Sequence, residues 1–176
     1  MASLMLAPEE VSSIEIQLCI IEGRDLVAKD RSFFGKPTTS DPYVKVFLGG
    51  KCYGHNTPVI KKDLNPKWNA TFKILLMDDH QIADIMLHRH PLRLVLWNKN
   101  RVFEDCMGVV DLPLDKNTNA NNKEKEIMME PEWFPVQQGE DEIFDKKQLI
   151  QYCHNATGDV KLQYTVKFTT RKEVWG

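Results

Sequence analysis

His80, Asp84 and His88 recur at four-residue spacing, which on a helix lines two imidazoles and a carboxylate along one face. Those donor types hold zinc, and with an open coordination position they would make a catalytic metal centre. No Gly-x-Ser-x-Gly elbow, phosphate-binding Gly loop or Cys/His nucleophile arrangement accompanies them. Polar residues at helical spacing are ordinarily a solvated face, so the chain reads as non-catalytic. Its four cysteines, Cys19, Cys52, Cys106 and Cys153, lack the paired spacing of zinc ribbons and redox motifs and are expected to be reduced, unpaired thiols. The sequons Asn69-Ala70-Thr71 and Asn155-Ala156-Thr157 read as chance, and Trp68, Trp97, Trp133 and Trp175 as packing aromatics.

The elements that position these residues are mostly strands. The chain has 176 residues, 42% of them apolar, with 23 Lys and Arg against 25 Asp and Glu for a net charge of -2. That composition suits one globular core and lacks the basic excess of a nucleic-acid binder. Apolar runs such as Ile74 to Met77 fall far short of the roughly 20 residues a bilayer-spanning helix needs. Residues 1–8 have no basic n-region and no Gly at position 2, so a cytoplasmic address is expected. Period-two alternation predicts strands over 14–21, 44–48, 72–76, 92–96, 109–112 and 160–168, each ended by a turn signal. Short strands at this spacing predict an all-β antiparallel sandwich. Two helices are expected to interrupt it: one from Asp78-Asp79 to a stop at Pro91, and a second within 140–153. The polar run from Lys116 to Lys123 is expected to form a mobile loop.

Several segments carry a family resemblance. Asp25 to Asp30 followed by Ser40-Asp41-Pro42-Tyr43-Val44-Lys45-Val46 resembles the first loop and next strand of the C2 domain, the lipid-binding module named from protein kinase C. Leu64-Asn65-Pro66-Lys67-Trp68-Asn69 is similar to that family's Asn-Pro-x-Trp turn. Leu94-Val95-Leu96-Trp97 resembles the strand before its third loop, and Asp105-Cys106-Met107-Gly108 the end of that loop. The resemblance implies an eight-stranded antiparallel β-sandwich over 14–170, flanked by an extension at 1–13 and a tail at 171–176. Its topology would be the second of the family's two, in which the final strand replaces an N-terminal one.

Members of this family hold calcium between loops at one end of the sandwich and bridge it to anionic phospholipid. The resemblance places the ligand positions at Asp30, Asp41, Asn98, Asn100 and Asp105. Calcium affinity rises with the number of charged oxygens, so two amides among five positions imply weak Ca²⁺ binding or none. Residues 29–41 carry a net +1 and residues 97–107 a net zero, so the loop end needs no calcium to meet an anionic surface. Phe33-Phe34 in the first loop and Val102-Phe103 in the third are candidate membrane-inserting residues, flanked by Lys29, Arg31, Lys36, Lys99 and Arg101. Of the basic cluster with which some C2 domains bind phosphoinositides, Lys45 alone matches. The function implied is peripheral targeting of a host protein, as a monomer, to anionic membrane. The alternative is a calcium-independent protein-interaction module in which the same aromatic loops or an exposed sheet edge dock a partner.

Overall fold

A computed structural model describes residues 6–101, 104–115, 130–144, 150–153 and 155–171. Two four-stranded antiparallel sheets form the sandwich. One contains β1 (Val11–Arg24), β6 (Lys67–Leu76), β9 (Glu132–Pro135) and β12 (Asp159–Thr170) in the order β6-β1-β12-β9. The other contains β4 (Pro42–Leu48), β5 (Lys51–Tyr53), β7 (Leu92–Asn98) and β8 (Asp105–Leu112) in the order β5-β4-β7-β8. The final strand β12 lies beside β1, and the first loop follows β1 directly, as the second topology requires.

Alternation decides which faces meet. Ile16, Leu18 and Ile20 of β1 stand opposite Val166, Tyr164 and Leu162 of β12, and all six side chains are buried. The second sheet answers with Val44, Val46, Leu48, Leu92, Leu94 and Leu96. Strand β7 is buried on both faces, because Val95 and Trp97 point the other way, into a separate cluster with Tyr43, Cys106 and Val109. Burying one such side chain contributes roughly 1.5–3 kcal/mol, so the two faces of β7 tie both clusters to a single strand.

The first expected helix forms as α1 (Asp79–Leu87). Asp78 caps it by accepting the Gln81 N–H at 2.9 Å, and Ile82 and Ile85 bury its inner face. Among the described residues of 140–153 there is no second helix: they contribute to the antiparallel pair β10 (Gly139–Phe144) and β11 (Ile150–Cys153), with β11 beside β8. The expected loop at Lys116 to Lys123 lies outside the described residues. Cysteine usage also differs from expectation. Cys106 is disulfide-bonded, whereas Cys19 and Cys52 are free. Sequence spacing failed here because a disulfide needs proximity in space, which separation along the chain does not report.

Gly158 opens the last strand at φ +85°, and a Cβ there would be driven into the carbonyl oxygens of Arg24 and Asp25. Gly50 has a similar φ of +79° but open space around it. Gly50→Ala should therefore cost only the left-handed strain, about 1 kcal/mol, and Gly158→Ala about 3 kcal/mol or more, measured by urea denaturation. Equal costs would show that backbone crowding at Gly158 does not matter.

Candidate functional site

The loop end of the sandwich is organised around Asn98, the last residue of β7, which is fully buried. Its carbonyl oxygen accepts the Asp41 backbone N–H at 2.7 Å. An N–H donor on that side fixes the amide's orientation, so Nδ2 must face the other way. There it donates to the Asp30 carboxylate at 2.9 Å and to Asp105 Oδ2 at 3.4 Å. One neutral side chain thus links the first loop, the start of β4 and the start of β8. The amide hydrogens meet the carboxylates where a bare oxygen would repel them.

Local interactions set each partner in place. Asp30 opens β2 (Asp30–Arg31), which pairs with β3 (Pro37–Thr39) to make the first loop a small hairpin. Ser40, fully buried, closes that hairpin: its hydroxyl donates to the Val27 carbonyl and accepts the Lys29 N–H, both at 2.8 Å. Asn65 accepts the Asp25 N–H at 3.0 Å, and the Trp68 indole N–H donates to the Pro42 carbonyl at 3.2 Å. Asp41 is largely committed to the frame. Its Oδ1 accepts the Lys62 N–H at 2.8 Å and its backbone carbonyl the Lys99 N–H at 2.9 Å.

Of the five expected ligand positions, Asp30, Asn98 and Asp105 are in direct contact, and Asp41 joins them through its backbone. Asn100 turns on itself, its carbonyl taken by the Arg101 N–H at 2.7 Å.

The hairpin tip is apolar. Phe33 and Phe34 are 98% and 87% exposed, and their rings meet edge to face at 5.7 Å. The turn beneath them is closed by the Gly35 N–H to the Ser32 carbonyl at 2.8 Å and by the Ser32 N–H to the Lys36 carbonyl at 2.7 Å. Gly35 takes the left-handed φ of +79° that lets the chain turn back. Arg31 and Lys36 flank the rings as exposed cations, Lys29 is half-buried at the hairpin's base, and Arg101 is exposed on the third loop. Val102 and Phe103 lie outside the described residues.

Glu104 is the residue the sequence reading missed. Its two oxygens hold Lys45 and Lys99, each at 3.2 Å. Burial works to raise the Glu104 pKa, but hydrogen bonds from Tyr43, Lys45 and Lys99 outweigh it and hold the carboxyl below its ordinary value. Lys45 also stands over the rings of Trp97 and Tyr43, at 5.1 and 5.7 Å from their centroids. The one lysine that matched a phosphoinositide position is thus engaged within the domain. Nothing in the sequence marked Glu104 as a partner of Lys45, because that pairing depends on β4 and β8 flanking β7 in the sheet, whereas Lys99 is only five residues away.

The expected His80, Asp84 and His88 row is not the group that assembles. Asp84 and His88 meet, but the third member is His90, beyond the end of α1.

A family model for the C2 domain matches residues 15–135. Extended synaptotagmin-1 of Mus musculus is 40% identical over 62 residues, 35% of this chain and 6% of that protein. Synaptotagmin-3 of Arabidopsis thaliana is 32% identical over 111 residues, 62% of this chain and 18% of that protein. The chain therefore spans a small part of either relative. Among solved structures, calcium-bound C2A and C2B domains of extended synaptotagmin 2 superpose with a TM-score of 0.60 at 22% identity, over 91% of this chain and 46% of that one. The C2A domain of a plant extended synaptotagmin 1 gives 0.54 at 21% identity, over 92% of this chain and 98% of that one. The matched span takes in the first-loop hairpin, the Asn65-Pro66 turn, Asn98 and Asp105, so the residues that organise this site are those of a chain that belongs to the C2 domain family.

Proposed function

We propose that this domain docks on anionic phospholipid membrane through the tip of the β2-β3 hairpin, with calcium contributing little. The observation that carries the reading is the near-complete exposure of two adjacent phenylalanines at the tip of a hairpin that also bears cations. A scattered exposed aromatic is ordinary, but a paired one at a loop apex has no fold to support. Each ring would contribute roughly 1.5–3 kcal/mol if removed fully from water. Lys29, Arg31, Lys36 and Arg101 would meet phosphate groups, at about 1 kcal/mol each near an anionic leaflet and less in salt, while Lys99 would have to exchange its Glu104 partner for phosphate. Val102 and Phe103 would extend the apolar contact from the third loop. The domain acts as a targeting module without chemistry of its own, and it binds membrane as a monomer.

The weak calcium response follows from Asn98. Calcium would have to gather Asp30, Asp41 and Asp105, yet the Asn98 amide already donates to two of these carboxylates and adds no negative charge. The calcium-bound extended synaptotagmin 2 domains share the fold, and the same loop end in this chain offers three carboxylates at the five expected positions.

In co-sedimentation, vesicles containing phosphatidylserine should retain the protein in chelator at low salt and release it as salt rises, while phosphatidylcholine vesicles should not retain it. Replacing Phe33 and Phe34 together by Ala should lower partitioning at least about tenfold while leaving the circular dichroism unchanged, because a tenfold loss corresponds to only about 1.4 kcal/mol of the apolar contact. Failure to bind any vesicle would overturn the membrane reading and make the phenylalanine pair a contact for a protein partner.

Asn98→Asp would set a third carboxylate against Asp30 and Asp105. The variant should melt below the parent in chelator and regain stability in calcium. Calcium at 100 times its Kd stabilises by about 2.7 kcal/mol, a rise of roughly 5–10 °C in Tm for a domain of this size. The parent should shift by less than about 2 °C in a calorimetric scan under the same conditions. A parent that responds as strongly as the variant would show that the amide does not replace the ion.

A further inference from the structure

We propose that Asp84, His88 and His90 form a binding site for one divalent first-row transition ion of the zinc type, at the end of the sandwich opposite the loops described above. Strand β4 runs from Pro42, paired with Asn98, to Leu48, paired with Leu92. Gly49 and His90 lie just beyond that second pair and mark the far end.

Each of the three residues offers a ligand atom, and the three atoms all lie within 4.8 Å of one another. His88 Nδ1 is 2.9 Å from Asp84 Oδ1, and His90 Nε2 is 3.4 Å from Asp84 Oδ2. Two donors on one tetrahedral zinc ion, each about 2.0–2.1 Å from it, stand roughly 3.3 Å apart. The two observed separations are close to that value but run to different oxygens of the Asp84 carboxylate, so side-chain rotation would have to bring one oxygen to both imidazoles.

The backbone delivers this arrangement in a way that helical spacing could not. His88 is the C-cap of α1, one turn after Asp84. Arg89 then takes a left-handed φ of +51°, and the His90 N–H returns to the Ile85 carbonyl at 3.1 Å. That ending folds His90 back beside Asp84, and the two imidazole rings tilt together with centroids 5.7 Å apart. The turn after β4 leaves room on the remaining side. A Cβ on Gly49 would stand 3.8 Å from Asp84 Oδ2 and 3.9 Å from the His90 ring, so the glycine keeps that approach clear for water as a further ligand.

The donor set selects the ion. Two imidazole nitrogens and one carboxylate suit zinc, copper or nickel, whereas calcium and magnesium favour oxygen alone. In the metal-free state His88 Nδ1 faces two acceptors, the Asp84 carboxylate and the Asp84 backbone carbonyl at 3.0 Å, so it carries a hydrogen. Binding through Nδ1 requires the other neutral tautomer, with that hydrogen carried on Nε2.

The test is zinc titration of the protein, carrying no polyhistidine tag, by calorimetry or by competition with a chromophoric chelator, with cobalt(II) as a spectroscopic probe. One zinc per chain is expected, together with a cobalt absorption spectrum of low coordination number. His88→Ala, His90→Ala and Asp84→Asn should each weaken zinc at least about tenfold. His80→Ala and Cys52→Ser should leave it unchanged, and millimolar calcium should not compete. No stoichiometric binding at 0.1 mM zinc, or binding that survives the double His88→Ala, His90→Ala variant, would overturn the site. Vesicle binding in that double variant should match the parent, which separates the two ends of the domain.

Discussion

Two carboxylates on separate loops, Asp30 and Asp105, reach toward one buried position, and something must donate to both for the loops to stay together. Unpaired, their mutual repulsion would push the first and third loops apart or force one of them to take up a proton. In this chain the donor is the Asn98 amide, whose orientation is set by the Asp41 N–H. The position of the hairpin, and of whatever its tip meets, depends on that amide. A covalently attached donor is always in place, whereas an ion is present only in proportion to its concentration.

The residues by which the family is recognised are chiefly those that hold the loops up. Ser40 closes the hairpin, Asn65 pins Asp25 at its left-handed φ of +53°, and Trp68 braces Pro42 with its indole N–H. None of these side chains reaches the hairpin tip. Family membership in a C2 domain therefore guarantees a frame and leaves its charge and apolarity to individual loop residues. Asn98 and the Phe33-Phe34 pair are of that second kind. The first links the loops through its amide, and the second places two exposed rings at the hairpin tip.

The sandwich was legible because alternation along β1 and β12 reports burial directly, and α1 was legible because Asp78 caps it before Ile82 and Ile85. Where charge and apolar residues mix without a clear period, as over 140–153, the pattern could not separate a helix from the β10-β11 pair. The disulfide at Cys106 and the Glu104 pairing with Lys45 were out of reach for a different reason. A disulfide needs proximity in space, and Lys45 on β4 meets Glu104 only because the sheet brings distant segments together, whereas Lys99 is a local partner five residues away. His90 was missed because helical spacing extends a row along the axis, while the actual chain reverses at Arg89 and brings back a residue the row excludes.

The same reversal bears on how a β-sandwich can acquire a second site. A sheet fixes the separation of its two ends by strand length, about 3.3 Å per residue, so the seven residues of β4 hold the Asn98 cluster and the His90 cluster roughly 20 Å apart. That exceeds the Debye length at physiological salt, about 8 Å, and direct electrostatic influence between the ends is largely screened. Any coupling would have to pass through β4 and β7, whose side chains are close-packed and resist small displacements. An ion at one end and a membrane at the other would then act additively, without either one controlling the other.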